Sequence, residues 1–133
     1  MFTDREISLV QSTWSPVALQ PDVAAEAFYS KLFEVAPGVR PLFPQDMKAQ
    51  GRKLIQMISI AVNNVDDVET IIPALRELGD RHVGYGAVAE HYPVVGEVLI
   101  ATLAAALGEE FTEEAEAAWG KVYGAVSGVM LGE

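Results

Sequence analysis

The chain has 133 residues, enough for one domain, and a formal charge of −10 from nineteen acidic against nine basic residues, which disfavours nucleic acid and anionic lipid as partners. It contains no cysteine, which excludes disulfides, thiolate catalysis, Cys-ligated zinc, iron–sulfur clusters and thioether-linked cofactors, and leaves histidine or oxygen to hold any metal group. Mean hydropathy is +0.21, yet charges interrupt every stretch, so no apolar run is expected to approach the ~20 residues of a membrane span.

Thr3 and Glu6 form a capping-box pattern ahead of Ile7, Leu9, Val10 and Trp14, predicting a first helix that Pro16 disturbs near its end. Asp22 is expected to cap a second helix through Val23, Ala24, Ala27, Phe28, Leu32 and Val35, with Tyr29 and Phe33 flanking its stripe and Pro37-Gly38 ending it. Pro37 to Pro44 has room only for a corner containing Val39, Leu42 and Phe43. Asp46 then caps a helix in which Met47, Leu54, Ile58, Ala61 and Val65 recur at three- and four-residue steps, interrupted by Gln50. Asp66-Asp67 separates it from Val68 to about Arg81, where Pro73 lies in a first turn or between two short helical pieces, and where Gly79, Gly84 and Gly86 loosen the end. Pro93 to Leu107 reads as a further helix stopped by Gly108, and Thr112 caps a last one from about Glu113 to Met130. Val, Ile and Thr fall at helical spacing rather than in alternation, so the expectation is an all-α domain, residues 1–133, without repeats or linkers. Met1 is followed by Phe2, Thr3, Asp4 and Arg5 rather than a basic and then an apolar segment, so no secretory signal is expected and the cytoplasm is the default location.

His82 carries the chemistry. It follows Ile71, Leu75 and Leu78 at helical spacing and so points inward from an apolar stripe, where an imidazole needs a partner. That partner is either another protein group, as for an ordinary core histidine, or a metal cofactor such as haem held between helices. Tyr29 and Gln50, each flanked by residues expected to be buried, supply a second polar set on other helices; alternatively Tyr29 bonds a backbone carbonyl and Gln50 lies at the exposed edge of its stripe. Lys48, Arg52 and Lys53 form a local basic excess, and Arg81 adjoins His82; these are a solvated face, partners for cofactor carboxylates, or a dock for an acidic partner. Glu109, Glu110, Glu113, Glu114 and Glu116 surround the start of the last helix, where carboxylates suit the positive end of its dipole. His91 is expected at a corner, and no phosphate loop, His-Glu-x-x-His or nucleophile elbow is present, so no catalytic residue is assigned.

Phe28-Tyr29-Ser30-Lys31-Leu32-Phe33, Arg40-Pro41-Leu42-Phe43, Arg81-His82, His91-Tyr92-Pro93-Val94-Val95-Gly96-Glu97 and Ala118-Trp119-Gly120-Lys121-Val122-Tyr123-Gly124 together resemble the bacterial single-domain globins and the globin domains of flavohaemoglobins, over essentially the whole chain. The resemblance implies a globin fold of about seven to eight helices around a non-covalent haem b. It makes His82 the proximal iron ligand, Phe43 the corner residue wedging the haem, Tyr29 and Gln50 the distal pair, and Leu54 the apolar wall over the ligand. Gln50 rather than Lys53 takes the distal place if the corner after Phe43 is short, and the basic Arg52, Lys53 and Arg81 fall near the cofactor. Tyr92 matches a tyrosine that contacts the proximal imidazole, and Tyr123 a last-helix tyrosine on the same side; the family's last-helix glutamate falls just past the end, with Glu133 an approximate substitute.

The function implied is reversible binding of O2, NO and CO, including a role in oxygen transport. The alternatives are NO dioxygenase chemistry for nitric oxide detoxification, with electrons from an external reductase because the flavin and nicotinamide region has no counterpart here, and a haem-free globin-fold interaction module.

Overall fold

In the computed structural model, which describes residues 2–132, the described residues form six α-helices and three short 3₁₀ helices, with no strand. The α-helices are α1 (Asp4–Ala18), α2 (Pro21–Val35), α3 (Met47–Asn63), α4 (Ile72–Gly84), α5 (His91–Leu107) and α6 (Glu113–Met130); 3₁₀ turns occupy Pro37–Leu42, Val68–Ile71 and Gly108–Glu110. The all-α expectation holds.

Local chemistry sets most of the boundaries. The Thr3 hydroxyl accepts from the Glu6 amide at 3.1 Å while the Glu6 carboxylate accepts from the Thr3 amide at 2.8 Å, closing the capping box. Asp46 and Thr112 cap α3 and α6 as expected. Asp22 does not cap α2: Gln20 holds that place, Pro21 follows where its missing N–H costs nothing, and Asp22 sits in the first turn against the helix dipole. Pro73 lies in the first turn of α4, directly after the Val68–Ile71 piece, so the segment does divide in two. α5 begins at His91, two residues before Pro93, because proline is as well tolerated inside the first turn as at its start. Gly108 ends α5 at φ 58°, a conformation that favours glycine.

Val10, Leu32 and Leu103 are the most deeply buried large side chains, so α1, α2 and α5 meet at the centre. α2 packs against α3 and α5, and α6 against α1 and α4. The Trp14 and Trp119 rings lie 5.9 Å apart, joining α1 to α6, and each indole N–H finds a hydroxyl: Trp119 donates to Thr13 Oγ1 at 2.8 Å and Trp14 to Ser59 Oγ at 2.9 Å. Outside this seam, Arg5 pairs with Glu114 at 2.7 Å and Lys121 with Glu6 at 3.1 Å.

One sequence expectation is corrected. His91–Glu110 is a helical stretch of 20 residues with mean hydropathy 1.4, long and apolar enough to cross a membrane by length and composition. Its inner face, Val98, Leu99, Thr102 and Leu103, is buried in the core. Its outer face is largely alanine (Ala101, Ala104, Ala105, Ala106), which raises hydropathy without presenting a large apolar side chain.

Thr13→Val keeps the side-chain shape but strands the buried Trp119 N–H. Urea unfolding should show a loss of about 1–3 kcal/mol, with Thr13→Ser close to the parent.

Candidate functional site

Tyr29 lies where α2, α3 and the Pro37–Leu42 corner converge. It is 6% exposed, with Phe28 edge-on at 5.2 Å, Phe33 stacked at 5.8 Å and Phe43 edge-on at 5.4 Å. Phe33 and Phe43 also meet edge-on at 5.5 Å, so the four rings hold one another in the offset and perpendicular arrangements aromatic pairs prefer. From α3, the Gln50 amide donates to the Tyr29 hydroxyl oxygen at 3.4 Å. The Tyr29 proton itself has no acceptor among the described residues, so it is available to something else. Burial pushes the Tyr29 phenol above its ordinary pKa and the Gln50 bond opposes this less strongly, so the group stays a neutral donor.

Arg40 fixes the corner. Its guanidinium donates to the carbonyls of Phe43 at 3.3 Å and Pro44 at 3.0 Å and stands 5.2 Å over the Phe33 ring. Sequence reasoning named Arg40 and Phe33 within their motifs but gave neither a role at the site. The available signal was an arginine three residues before an aromatic in a proline-punctuated corner, where only a long donor can satisfy carbonyls left outside a helix.

α4 delivers His82, which is half-buried. Its Nδ1 lies 2.8 Å from the Leu78 carbonyl oxygen. A carbonyl only accepts, so Nδ1 carries the proton and the lone pair of a neutral imidazole is on Nε2, which has no partner among the described residues. The rings of Tyr85 and Tyr92 lie 5.9 and 6.3 Å from the imidazole. Tyr123 donates to the Tyr92 backbone carbonyl at 2.6 Å, and its ring lies so close to Gly96 that a Cβ there would fall 2.7 Å from it. Burial pushes the phenols of Tyr92 and Tyr123 upward, most strongly Tyr123. His91 sits at the corner as expected, its Nδ1 accepting from the Val88 amide at 3.2 Å.

The basic residues do not converge. Arg52 faces α2, 3.6 Å from Asp22, and Arg81 bonds Glu77 one turn back along α4 at 2.6 Å. Lys48 and Lys53 are exposed. Lys48 and Arg52 are four residues apart and share a face, whereas Lys53 lies off it, so the trio is no single patch. Leu54 is half-buried against the core, and Glu133 lies outside the described residues.

Two observations define what this arrangement can hold. No cluster of three or more His, Asp or Glu residues suited to a metal ion occurs among the described residues, so His82 is a single donor, fit for a metal that arrives with its other ligands in a planar set of its own. α4 rests on α6 and the Val68–Ile71 piece, whereas α3 rests on α2 and α1, so the helices bearing His82 and Gln50 are held by different neighbours. Apolar side chains are exposed on the corner that follows α2 and around the end of α4, Leu42 at 36% and Val83, Tyr85 and Val88 at 73%, 59% and 48%, and the two corners meet where Leu42 lies 3.0 Å from the place of a Cβ on Gly86. An open groove of about 440 Å³ bordered by Asp4, Ser8, Gln11 and Asp66 shares none of these residues.

Comparison with known proteins gives a consistent result. A family model described as globin matches residues 26–130. A flavohemoprotein of Chromobacterium violaceum is 33% identical over 137 residues, covering 99% of this chain and 33% of that protein, and one of Bacillus subtilis is 28% identical over 135 residues, covering 99% and 34%. The chain thus spans about a third of the length of these relatives. Among solved structures, a bacterial globin from Campylobacter jejuni shares the fold with a TM-score of 0.82 at 24% identity, over 94% of this chain and 91% of that one.

Arg40→Ala frees the Phe43 and Pro44 carbonyls. Loss of hydrogen bonds worth about 1–1.5 kcal/mol should speed amide exchange in the corner about ten-fold, while exchange in the α1–α6 seam stays unchanged.

Proposed function

The chain belongs to the globin family, and from that premise we propose that it binds O2 reversibly at a non-covalent haem b, with His82 as proximal ligand and Tyr29 and Gln50 as the distal pair. Family membership carries haem and the binding of diatomic gases in general; the residue roles, the haem type and the preference for O2 are this proposal. The observation behind it is the Tyr29 hydroxyl, which accepts from Gln50 and keeps its own proton free in a buried aromatic cage.

When bound, haem supplies an iron with one open position for O2, NO or CO. The chain does the rest. His82 offers Nε2 because Leu78 holds the Nδ1 proton. Phe43, set by its contacts with Tyr29 and Phe33, would offer the cofactor an apolar contact, and Leu54 from α3 would help exclude water from the bound gas. Gln50 polarises the Tyr29 hydroxyl by donating to it, which would make Tyr29 a stronger donor to a bound gas. A well-aligned donor in such a site contributes about 1–3 kcal/mol against ligand release, which favours retention of O2. Tyr92 and Tyr123 act on the other side by fixing the start of α5 beside the imidazole.

A second reading, NO dioxygenation for nitric oxide detoxification, is favoured by the flavohemoprotein relatives of which this chain spans a third. It requires electrons from a reductase, and the exposed Lys48 is available to meet an acidic one. Sustained O2 consumption driven by NO and a cellular reductase supports it; a single stoichiometric turnover leaves a binding protein.

The expected spectrum of protein from haem-replete cells is a Soret band that shifts on reduction and again with CO, and that is lost or grossly changed in His82→Ala. A colourless protein that refuses added hemin returns the chain to a globin-fold interaction module. In the loaded protein, Tyr29→Phe should speed O2 dissociation about ten-fold or more; an unchanged off-rate removes Tyr29 from the distal role.

A further inference from the structure

α4 has two buried residues, Leu75 and Gly79, and with His82 they stand at positions i, i+4 and i+7, along one side of the helix. Gly79 meets the end of α6 backbone to backbone. A Cβ placed on Gly79 would collide with the Met130 carbonyl oxygen and lie 2.8 and 2.9 Å from the Met130 carbonyl carbon and Cα. These are main-chain atoms, which cannot swing aside as a side chain can. The glycine hydrogen in the Cβ position therefore points at a carbonyl in the last turn of α6, one of the groups a helix end leaves without an intrahelical donor.

The position of this contact gives it a consequence. The carbonyl that orients the His82 imidazole belongs to Leu78, and the next atom in the chain is the Gly79 nitrogen. Because α4 leans on α6 rather than on α3, the height and rotation of the turn carrying Leu78 are set where Gly79 meets Met130. We infer that Gly79 is a positioning residue for the His82 imidazole, with the backbone of Met130 as its stop; the inference rests on His82 being the iron ligand. Any Cβ at residue 79 pushes α4 away from α6 and carries the Leu78 carbonyl, and with it the ring, to a new position. Alanine is the better helix former, so a change caused by Gly79→Ala comes from the contact and not from weakened α4.

The test is the iron–imidazole stretching band in the resonance Raman spectrum of the reduced, ligand-free, haem-loaded protein. Gly79→Ala should shift the band, and in the haem-free protein should move the His82 imidazole nitrogen resonances. Ending the chain after Val129 in the same variant removes the stop and should return both signals toward the parent. Met130→Ala, which keeps the backbone, should leave them in place. If Gly79→Ala alone fails to hold haem, recovery of the parental band in the shortened variant supports the inference. An unmoved band and unmoved resonances in Gly79→Ala overturn it, as does a change or loss of haem that shortening fails to reverse. A parent protein with haem but no iron–imidazole band overturns the ligand assignment itself, a result distinct from either.

Discussion

The hydrogen bond from His82 Nδ1 to the Leu78 carbonyl, one helical turn back, is the interaction on which the site depends. An imidazole has two nitrogens of opposite character, and which one can bind a metal is settled by what the other touches. Here the choice is made within α4 itself, so it needs no partner helix and survives as long as that helix does. The consequence is a demand on packing. An imidazole oriented by its own helix is only as well placed as the helix, and α4 packs chiefly on α6 and the Val68–Ile71 piece. Its place comes from α6, and α6 is in turn fixed by the Trp14–Trp119 contact and the Trp119–Thr13 bond to α1. The chain of support runs from the buried Trp14–Trp119 seam outward to the histidine.

The opposite wall is built differently. Tyr29 is held by other rings and by one amide, and the corner that supplies Phe43 is held by a single arginine. This wall presents one free proton in an apolar surround, where a donor acts most strongly because no water competes with it. Burial reinforces the arrangement by keeping the phenol neutral, since a deprotonated Tyr29 would have no proton to give.

The sequence was legible where one residue type has one physical use. Thr3 with Glu6, Asp46, Thr112 and Gly108 mark helix ends through donors, acceptors and positive φ, and the structure places them there. His82, Tyr29 and Gln50 stood out as polar groups in apolar stripes, and Gln50 does reach Tyr29. The remainder depended on contacts between distant segments. Asp22 carries a cap's chemistry, but Pro21 before it already suits the first helical position. Arg52 follows Asp22 by thirty positions in sequence, and only the packing of α2 on α3 brings the two within 3.6 Å. The alanine face of α5 raises hydropathy as leucine would, so composition alone did not reveal how much of that helix is core. Gly79 reads as a weak point in a helix until Met130, from the far end of the chain, is placed against it.

Fold and cofactor are also coupled through stability. Leu42, Val83, Tyr85 and Val88 are more than a third exposed, and uncovering apolar side chains forgoes about 25 cal/mol for each Å² left in water. A group that covers them binds the folded chain and not the unfolded one, and at a thousand times its dissociation constant it adds about 4 kcal/mol to stability. That is a large share of the 5–15 kcal/mol that typically separates folded from unfolded chains. α3 and α4 are held by different neighbours, and a group covering these side chains would add its binding free energy to the stability of the fold.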